Sequence, residues 1–408
     1  MDTAHIPTSL TEAEALDAAD PLGPARARFQ SPEGETYLVG HSLGPLSDAA
    51  RKSLDGALAH WRADAVGAWN TASWIDMPMA LGARIAPLIG ARAGEVVVCD
   101  SVSVNLFKLA GALVDCHADA RIVVEAGEFP TDQYILERLA GVTGCGFTRA
   151  GAGQGTAHLA PGTVLVRSLV DYRTAEVADM AASEAMARAV GADIIWDLSH
   201  ATGVLDLKLA ERGARYAVGC TYKYLSGGPG APAFLYVEGD LADALRSPVE
   251  GWLGHAQPFA FESDYAPAPG VERFVTGTPP ILSMAALAGA LDLFEGVDLA
   301  LLEAKARRLG DMCLLAFARL GLPSGSPPVG RRRGGHVAFT HPQGYALSRA
   351  LMARGVRCDF RTPDTIRFGL SPLTLSYAEV WRALATLEDV LENREFKRAE
   401  YQTGAKVT

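Results

Sequence analysis

Two short stretches of the chain hold the residue types that chemistry uses. Trp196-Asp197-Leu198-Ser199-His200 is an apolar run that ends in an acid and an imidazole. Some twenty residues further on comes Thr221-Tyr222-Lys223-Tyr224-Leu225-Ser226, followed by the turn Gly227-Gly228-Pro229-Gly230. Both stretches follow apolar, strand-like residues, and open α/β sheets bind ligands outside the carboxyl ends of their strands. A carboxylate and a lysine placed there meet the needs of a pyridoxal cofactor. The acid keeps the ring nitrogen protonated so that the ring can take up electrons, and the lysine forms an imine. Each residue also has a plainer reading. Asp197 suits a helix cap, Lys223 a solvated surface, His200 a hydrogen-bonded interior, and the glycine run a simple turn. The spacing of the set is what favours the chemical reading.

Elements that would position these groups can be read from periodicity. Leu10 to Ala19 reads as a helix after the cap Thr8, and Ser47 caps another in which Ala50, Leu54, Ala57, Leu58 and Trp61 recur at helical spacing. Strands are expected at Glu95 to Val98, Arg121 to Glu125, Val164 to Val170, Asp193 to Trp196, Tyr216 to Cys220 and Ala233 to Tyr236. Helices fall between them at Ser101 to Leu113, from Phe129 onward, and at Ala175 to Ala189. Alternating helices and β-branched strands without polar alternation indicate a mostly parallel sheet covered on both faces. After Pro279-Pro280 the texture changes. Helices at Ile281 to Phe294, Leu299 to Leu320, Tyr345 to Arg354 and Ser376 to Leu391 accompany strands at His336 to Thr340 and Thr365 to Leu370. The expected organisation is an N-terminal arm at 1–46, a large domain at 47–280 and a smaller α+β domain at 281–408.

Bulk properties narrow the function. A formal charge of -10 argues against a nucleic-acid partner, and the one basic run, Arg331 to Arg333, reads as a solvated loop between glycines. The six cysteines form no CxxC pair, so neither a zinc knuckle nor a disulfide framework is indicated, and no metal is expected. No apolar run is long enough to span a bilayer. Reduced cysteines and the lack of a signal-like start fit a cytoplasmic protein.

Longer segments carry a family resemblance. Trp196 to Gly203 (WDLSHATG), Val218 to Tyr236 (VGCTYKYLSGGPGAPAFLY), Phe274 to Pro280 (FVTGTPP), Tyr37 to Gly44 (YLVGHSLG) and Ile366 to Leu370 (IRFGL) resemble kynureninase. So do Ser103 to Leu106 and Phe129 to Asp132. That family is of the aspartate-aminotransferase-like fold (fold type I of the pyridoxal-phosphate enzymes), which implies an α/β architecture of a large and a small domain. It implies hydrolytic cleavage of the Cβ–Cγ bond of L-kynurenine to anthranilate and L-alanine, as used in tryptophan catabolism and NAD biosynthesis.

The resemblance also implies roles. Lys223 is the Schiff-base lysine and Asp197 the partner of the pyridine nitrogen, with His200 nearby. Phe129 lies against the cofactor ring with Pro130, Thr131 and Asp132 beside it, Val102 and Ser103 hold the phosphate, and Ser168 and Tyr222 complete the contacts. Tyr222 is also the candidate acid that protonates Cβ. Arg367 pairs with the substrate carboxylate, while His41, Ser42 and Trp69 lie near the substrate, Trp69 grouping with Trp61 and Trp74. Trp252 and Thr278 match positions that reach a neighbouring subunit's cofactor, which implies a homodimer with shared sites.

Two departures stand out. The family often has Asn where His41 stands, and its bacterial members often have Asp where Val39 stands. His41 either alters substrate choice or exchanges one hydrogen-bonding group for another. Gly277 offers no polar side chain to a 3-hydroxyl, so L-kynurenine is the expected preference over 3-hydroxykynurenine. Two rivals were weighed. A cysteine desulfurase or selenocysteine lyase needs a reactive cysteine on a mobile loop, and only Cys313 and Cys358 lie in the C-terminal part. A non-catalytic cofactor-binding sensor is expected to lack Lys223, Asp197 or Arg367, and all three are present.

Overall fold

The computed structural model of the chain describes residues 6–402. Seven strands form the large sheet: β1 (Val96–Val98), β2 (Arg121–Glu125), β3 (Gly146–Ala150), β4 (Thr163–Ser168), β5 (Asp193–Asp197), β6 (Tyr216–Gly219) and β7 (Phe234–Val237). They lie in the order β1-β7-β6-β5-β4-β2-β3. Only β7 runs against its neighbours; the pairs from β6 through β3 are parallel. Every residue of β1, β5, β6 and β7 is buried, as two covered faces require. β3 was not expected from the sequence. Its residues Gly146-Phe147-Thr148-Arg149-Ala150 lie at the sheet edge, and only Ala150 is fully buried, so the apolar signal is weak.

The helices begin where short polar side chains can hold their first N–H groups. Ser47, Ser101, Asp179 and Ser376 cap helices Asp48–Asp64, Val102–Asp115, Met180–Val190 and Tyr377–Glu392. At the N-terminus the cap is Ser9 rather than Thr8. The helix expected from Ala175 starts five residues later, because Asp179 supplies a cap and Ala175 takes a positive φ of 68° in a turn.

A second sheet joins β8 (His336–Thr340), β9 (Asp359–Arg361) and β10 (Thr365–Gly369) in the antiparallel order β8-β10-β9. Its core includes Phe317, Phe339, Phe368 and Leu387, and the N-terminal helix Leu10–Ala18 adds Ala13 to it. Apolar residues of Ile281–Leu291 instead join the core of the large sheet. The long helix Leu299–Arg319 serves both cores, Leu302 and Ala306 facing one and Leu309 to Phe317 the other.

One buried polar pair between the large sheet and the helix Met180–Val190 has a measurable signature. Trp196 of β5 donates its indole N–H to Glu184 Oε1 at 2.8 Å. Burial pushes the Glu184 carboxyl up to about 7. Unfolded chains release that proton near 4.5, so the native state holds the extra proton between the two values and stability falls as pH rises from about 4.5 to 7. Glu184→Gln keeps an acceptor for the indole and removes the titration. The urea midpoint of this variant should fall less steeply with pH over that interval than the parent's; equal slopes would assign the dependence elsewhere.

Candidate functional site

Loops after β2, β4, β5 and β6 enclose a cavity of about 340 Å³. β4, β5 and β6 are in parallel register, with Ser168 opposite Asp197 and Asp197 opposite Val218, so their carboxyl ends lie level. The chain then delivers Ser199 and His200 after β5, and Tyr222 and Lys223 after β6, to the cavity wall. The segment of His41 and Ser42 is tied to the same place from two sides. Gly44 N–H donates to the Tyr222 carbonyl at 2.8 Å, and Gly369 N–H donates to the Leu38 carbonyl at 2.7 Å. Both glycines are needed for close approach. A Cβ on Gly44 would meet Ser226 Oγ at 2.2 Å, and one on Gly369 would meet His41 Nδ1 at 2.0 Å.

Most of the expected residues meet in this one cavity. His41 and Ser42 line it, with Val102 and Ser103 from the first turn of Val102–Asp115 and Phe129, Thr131 and Asp132 from the start of Pro130–Thr143. Ser168, Asp197, His200, Tyr222, Lys223 and Arg367 complete that set. Pro130 sits at the helix start and does not line the cavity, and neither do Trp69, Trp252 and Thr278. Trp69 packs edge-on against the buried Trp74, at 5.9 Å between ring centroids. Trp252 and Thr278 are solvent-exposed in the single chain, as is Trp61.

The sequence reading did not single out several groups found here. Val170, Ser199, Tyr172 and Arg361 line the cavity, and Glu128, His336 and Asp359 lie buried around it. Asp359 is the direct cross-strand partner of Arg367, which is how opposite charges on neighbouring strands meet. Arg367 Nε donates to Asp359 Oδ2 at 2.7 Å, Nη2 donates to the same oxygen, and Nη1 donates to the Tyr172 carbonyl. Arg361 reaches Asp359 as well, at 3.1 Å. A hairpin signal between Val356 and Gly369 was the available clue, but two- and three-residue strands give no periodicity to read.

Electrostatics divide the cavity into an acidic and a basic end. Asp132 and Asp197 are buried, and desolvation pushes both carboxyls above their usual range. Ser199 N–H donates to Asp197 Oδ1 at 2.8 Å, whereas Asp132 Oδ2 has no hydrogen-bond partner among the described residues. Glu128, buried beneath them, is pushed up to about 7 by burial although the Ser168 N–H and hydroxyl both donate to it. At the other end the guanidinium ions of Arg367 and Arg361 hold the Asp359 carboxyl well below the usual range despite its burial.

These groups fit pyridoxal phosphate. A primary amine, a cluster of desolvated acids lacking a cationic N–H donor, and a fourteen-residue helix whose first turn faces the cavity match its aldehyde, pyridine nitrogen and phosphate. Fold and site thus define a fold-type-I pyridoxal-phosphate enzyme. Solved structures agree on the fold: a cystine C–S lyase superposes with a TM-score of 0.76 at 19% identity over 88% of this chain and 98% of that one. A cysteine desulfurase from Thermococcus onnurineus NA1 gives 0.75 at 18% identity, covering 96% and 100%.

Sequence comparison is more specific. Residues 302–387 match the kynureninase C-terminal domain. A kynureninase of Pseudomonas fluorescens is 40% identical over 98% of this chain and 100% of its own length, and one of Burkholderia pseudomallei is 39% identical over 97% and 99%. The chain belongs to the kynureninase family.

The buried pair of Arg367 and Asp359 gives the site its own stability test. Asp359→Asn leaves the guanidinium in the interior without its anion, a loss of roughly 3 kcal/mol or more for a broken buried pair. Urea unfolding should show that decrease. A change well under about 1 kcal/mol would mean that the guanidinium is held by neutral acceptors such as the Tyr172 carbonyl.

Proposed function

We propose that the chain is a pyridoxal-phosphate-dependent hydrolase that cleaves L-kynurenine to anthranilate and L-alanine. The observation that carries this reading is the meeting of Lys223, Asp197 and Arg367 in one cavity of a chain so similar to kynureninases along its whole length. Pyridoxal phosphate, when bound, supplies the electron sink that makes proton loss at Cα and bond cleavage at Cβ accessible.

Lys223 would hold the cofactor through its amine and, when free, move the proton at Cα. Asp197 would keep the proton on the pyridine nitrogen, and that positive charge would in turn relieve the buried acids. Val102, Ser103 and the helix start would hold the phosphate, and Phe129, Thr131, Asp132, Ser168 and His200 would hold the ring. Arg367 takes the substrate carboxylate through the N–H groups that Asp359 and the Tyr172 carbonyl leave free. Two arginines and one aspartate sum to a single positive charge, the complement of one carboxylate. Tyr222, whose phenol burial pushes well above its usual value, keeps its proton at neutral pH and donates it to Cβ.

A desulfurase reading is not favoured. Cys313 and Cys358 are both buried and burial pushes both thiols well up, the opposite of an activated nucleophile. No helix among the described residues is long and apolar enough to cross a membrane.

A homodimer with shared sites completes the proposal. It is supported by the contiguous exposed rings of Trp252, Phe259 and Phe261, an apolar patch of the kind that marks an interaction surface. Trp252 and Thr278 of each chain would reach the phosphate held by the other.

Purified protein with pyridoxal phosphate should convert L-kynurenine to equal amounts of anthranilate and alanine, and Lys223→Ala should lose both this turnover and the visible absorbance of the bound cofactor. Persistence of both in the variant would remove Lys223 from its role. The shared site predicts complementation: mixing inactive Lys223→Ala with an inactive Trp252→Ala/Thr278→Ala chain should restore part of the activity after subunit exchange. No recovery after verified exchange would mean that each chain builds its site alone.

A further inference from the structure

Three histidines stand together against the cavity, and the roles above leave most of their hydrogen-bonding capacity unused. His41 and His336 stack at 5.5 Å between ring centroids with an interplanar angle of 16°. His200 meets His336 edge-on at 5.3 Å and His41 at 6.1 Å. All three side chains are at least nine-tenths buried. Five of their ring nitrogens, both of His41, both of His336 and Nδ1 of His200, have no hydrogen-bond partner among the described residues. His41 Nε2 does face Asp359 Oδ2 at 3.4 Å, without the geometry of a hydrogen bond. The Tyr172 backbone near His336 is engaged by Arg367.

Interior polar atoms are rarely left without partners, so the cluster is built to hold something small. Its charge state limits the choice. Burial lowers His41 to about 4 and drives His200 and His336 well below their usual value, with Lys223 and Arg367 adding repulsion. Three neutral imidazoles present donors and acceptors together. Uncharged rings offer an anion no opposite charge, and although neutral imidazole readily ligates metal cations, no group of described residues has the arrangement of a metal site. The cluster suits water, which uses about three hydrogen bonds when buried.

We propose that His41, His200 and His336 form a binding site for the water consumed by the reaction, positioning it for addition to the γ-ketone of the substrate. His41 and His200 line the cavity, and His336 backs them as a positioning residue. This inference rests on the kynurenine-cleaving reading. The bookkeeping is that water adds across the γ-carbonyl, giving two hydroxyls on Cγ. When the Cβ–Cγ bond breaks, its electron pair goes to Cβ, one γ-hydroxyl sheds its proton, and Cγ becomes the carboxyl carbon of anthranilate. Cβ takes up a proton, and the three-carbon product is alanine.

The γ-alcohol analogue of L-kynurenine separates water addition from every other step. Its cleavage sheds the same hydroxyl proton and gives 2-aminobenzaldehyde and alanine, yet consumes no water. His336→Phe keeps a ring of similar size without nitrogens, and His336→Gln restores a donor and an acceptor. For His336→Phe, kcat on the ketone should fall by roughly 10- to 100-fold, as misplacement of a reactant does. Turnover of the alcohol should stay within about threefold, since its bond cleavage needs no positioned water. His336→Gln should recover much of the ketone activity. Equal loss on both substrates, with cofactor absorbance retained, would overturn the inference, as would a rise in KM on both, which would assign the cluster to the substrate itself. An unaltered ratio in both variants would also overturn it. A parent chain inactive on ketone and alcohol alike would overturn the kynurenine-cleaving reading first, and this inference with it.

Discussion

Charge taken out of water is the constraint on which the site depends. Glu128, Asp132 and Asp197 are each less than a tenth exposed, and their mutual repulsion adds to the cost of desolvation. Lys223 offsets part of it for Asp132 and Asp197. Such a cluster is unfavourable in an ordinary interior, where buried acids are paired or neutral. It persists because β2, which leads into Glu128 and the helix of Asp132, and β5, which ends in Asp197, are both held in register with β4 in a sheet covered on both faces. With the cofactor held as proposed, the stability of the sheet fixes acids where its cationic ring nitrogen would relieve them. The scaffold is therefore arranged so that binding the cofactor removes an electrostatic cost that folding alone leaves in place.

The parts of this arrangement that were legible in the sequence are those whose signal is local. Uninterrupted apolar runs marked β2, β5 and β6, the cap at Ser47 marked its helix, and the apolar pattern marked those that start near Ser101 and Ser376. The acid and lysine at the ends of β5 and β6 were visible because a strand pattern stops where they begin. What could not be read locally depends on pairing between distant segments. Asp359 owes its role to lying opposite Arg367 across two short strands. His336 reads as the first residue of a strand; only the packing of His41 over Gly369 turns it into a member of a cluster. β3, with one buried residue in five, gave no strand pattern although it extends the sheet. The same holds for Ile281–Leu291: the prolines before it announce a helix, but not which of the two cores it joins.

The two ends of the cavity are complementary in a way that fits one class of molecule. Around Lys223 the surroundings are acidic and favour a protonated ring and a positively charged amine. Around Arg367 and Arg361 the charges, less Asp359, leave one positive charge for a carboxylate. The histidines are driven neutral by burial and by the cations near them, so they carry no charge into the site. An α-amino acid presents an ammonium and a carboxylate on one carbon and, in kynurenine, an uncharged ketone two carbons away. A charged imidazole would pair with the carboxylate or with Asp359 and would be lost as a neutral partner for water. A titratable ring at position 41 is compatible with this only because it is desolvated enough to stay neutral. Burial of His41, which Gly369 makes possible, is thus what allows a titratable residue to stand beside Asp359 and Arg367 without bringing a charge.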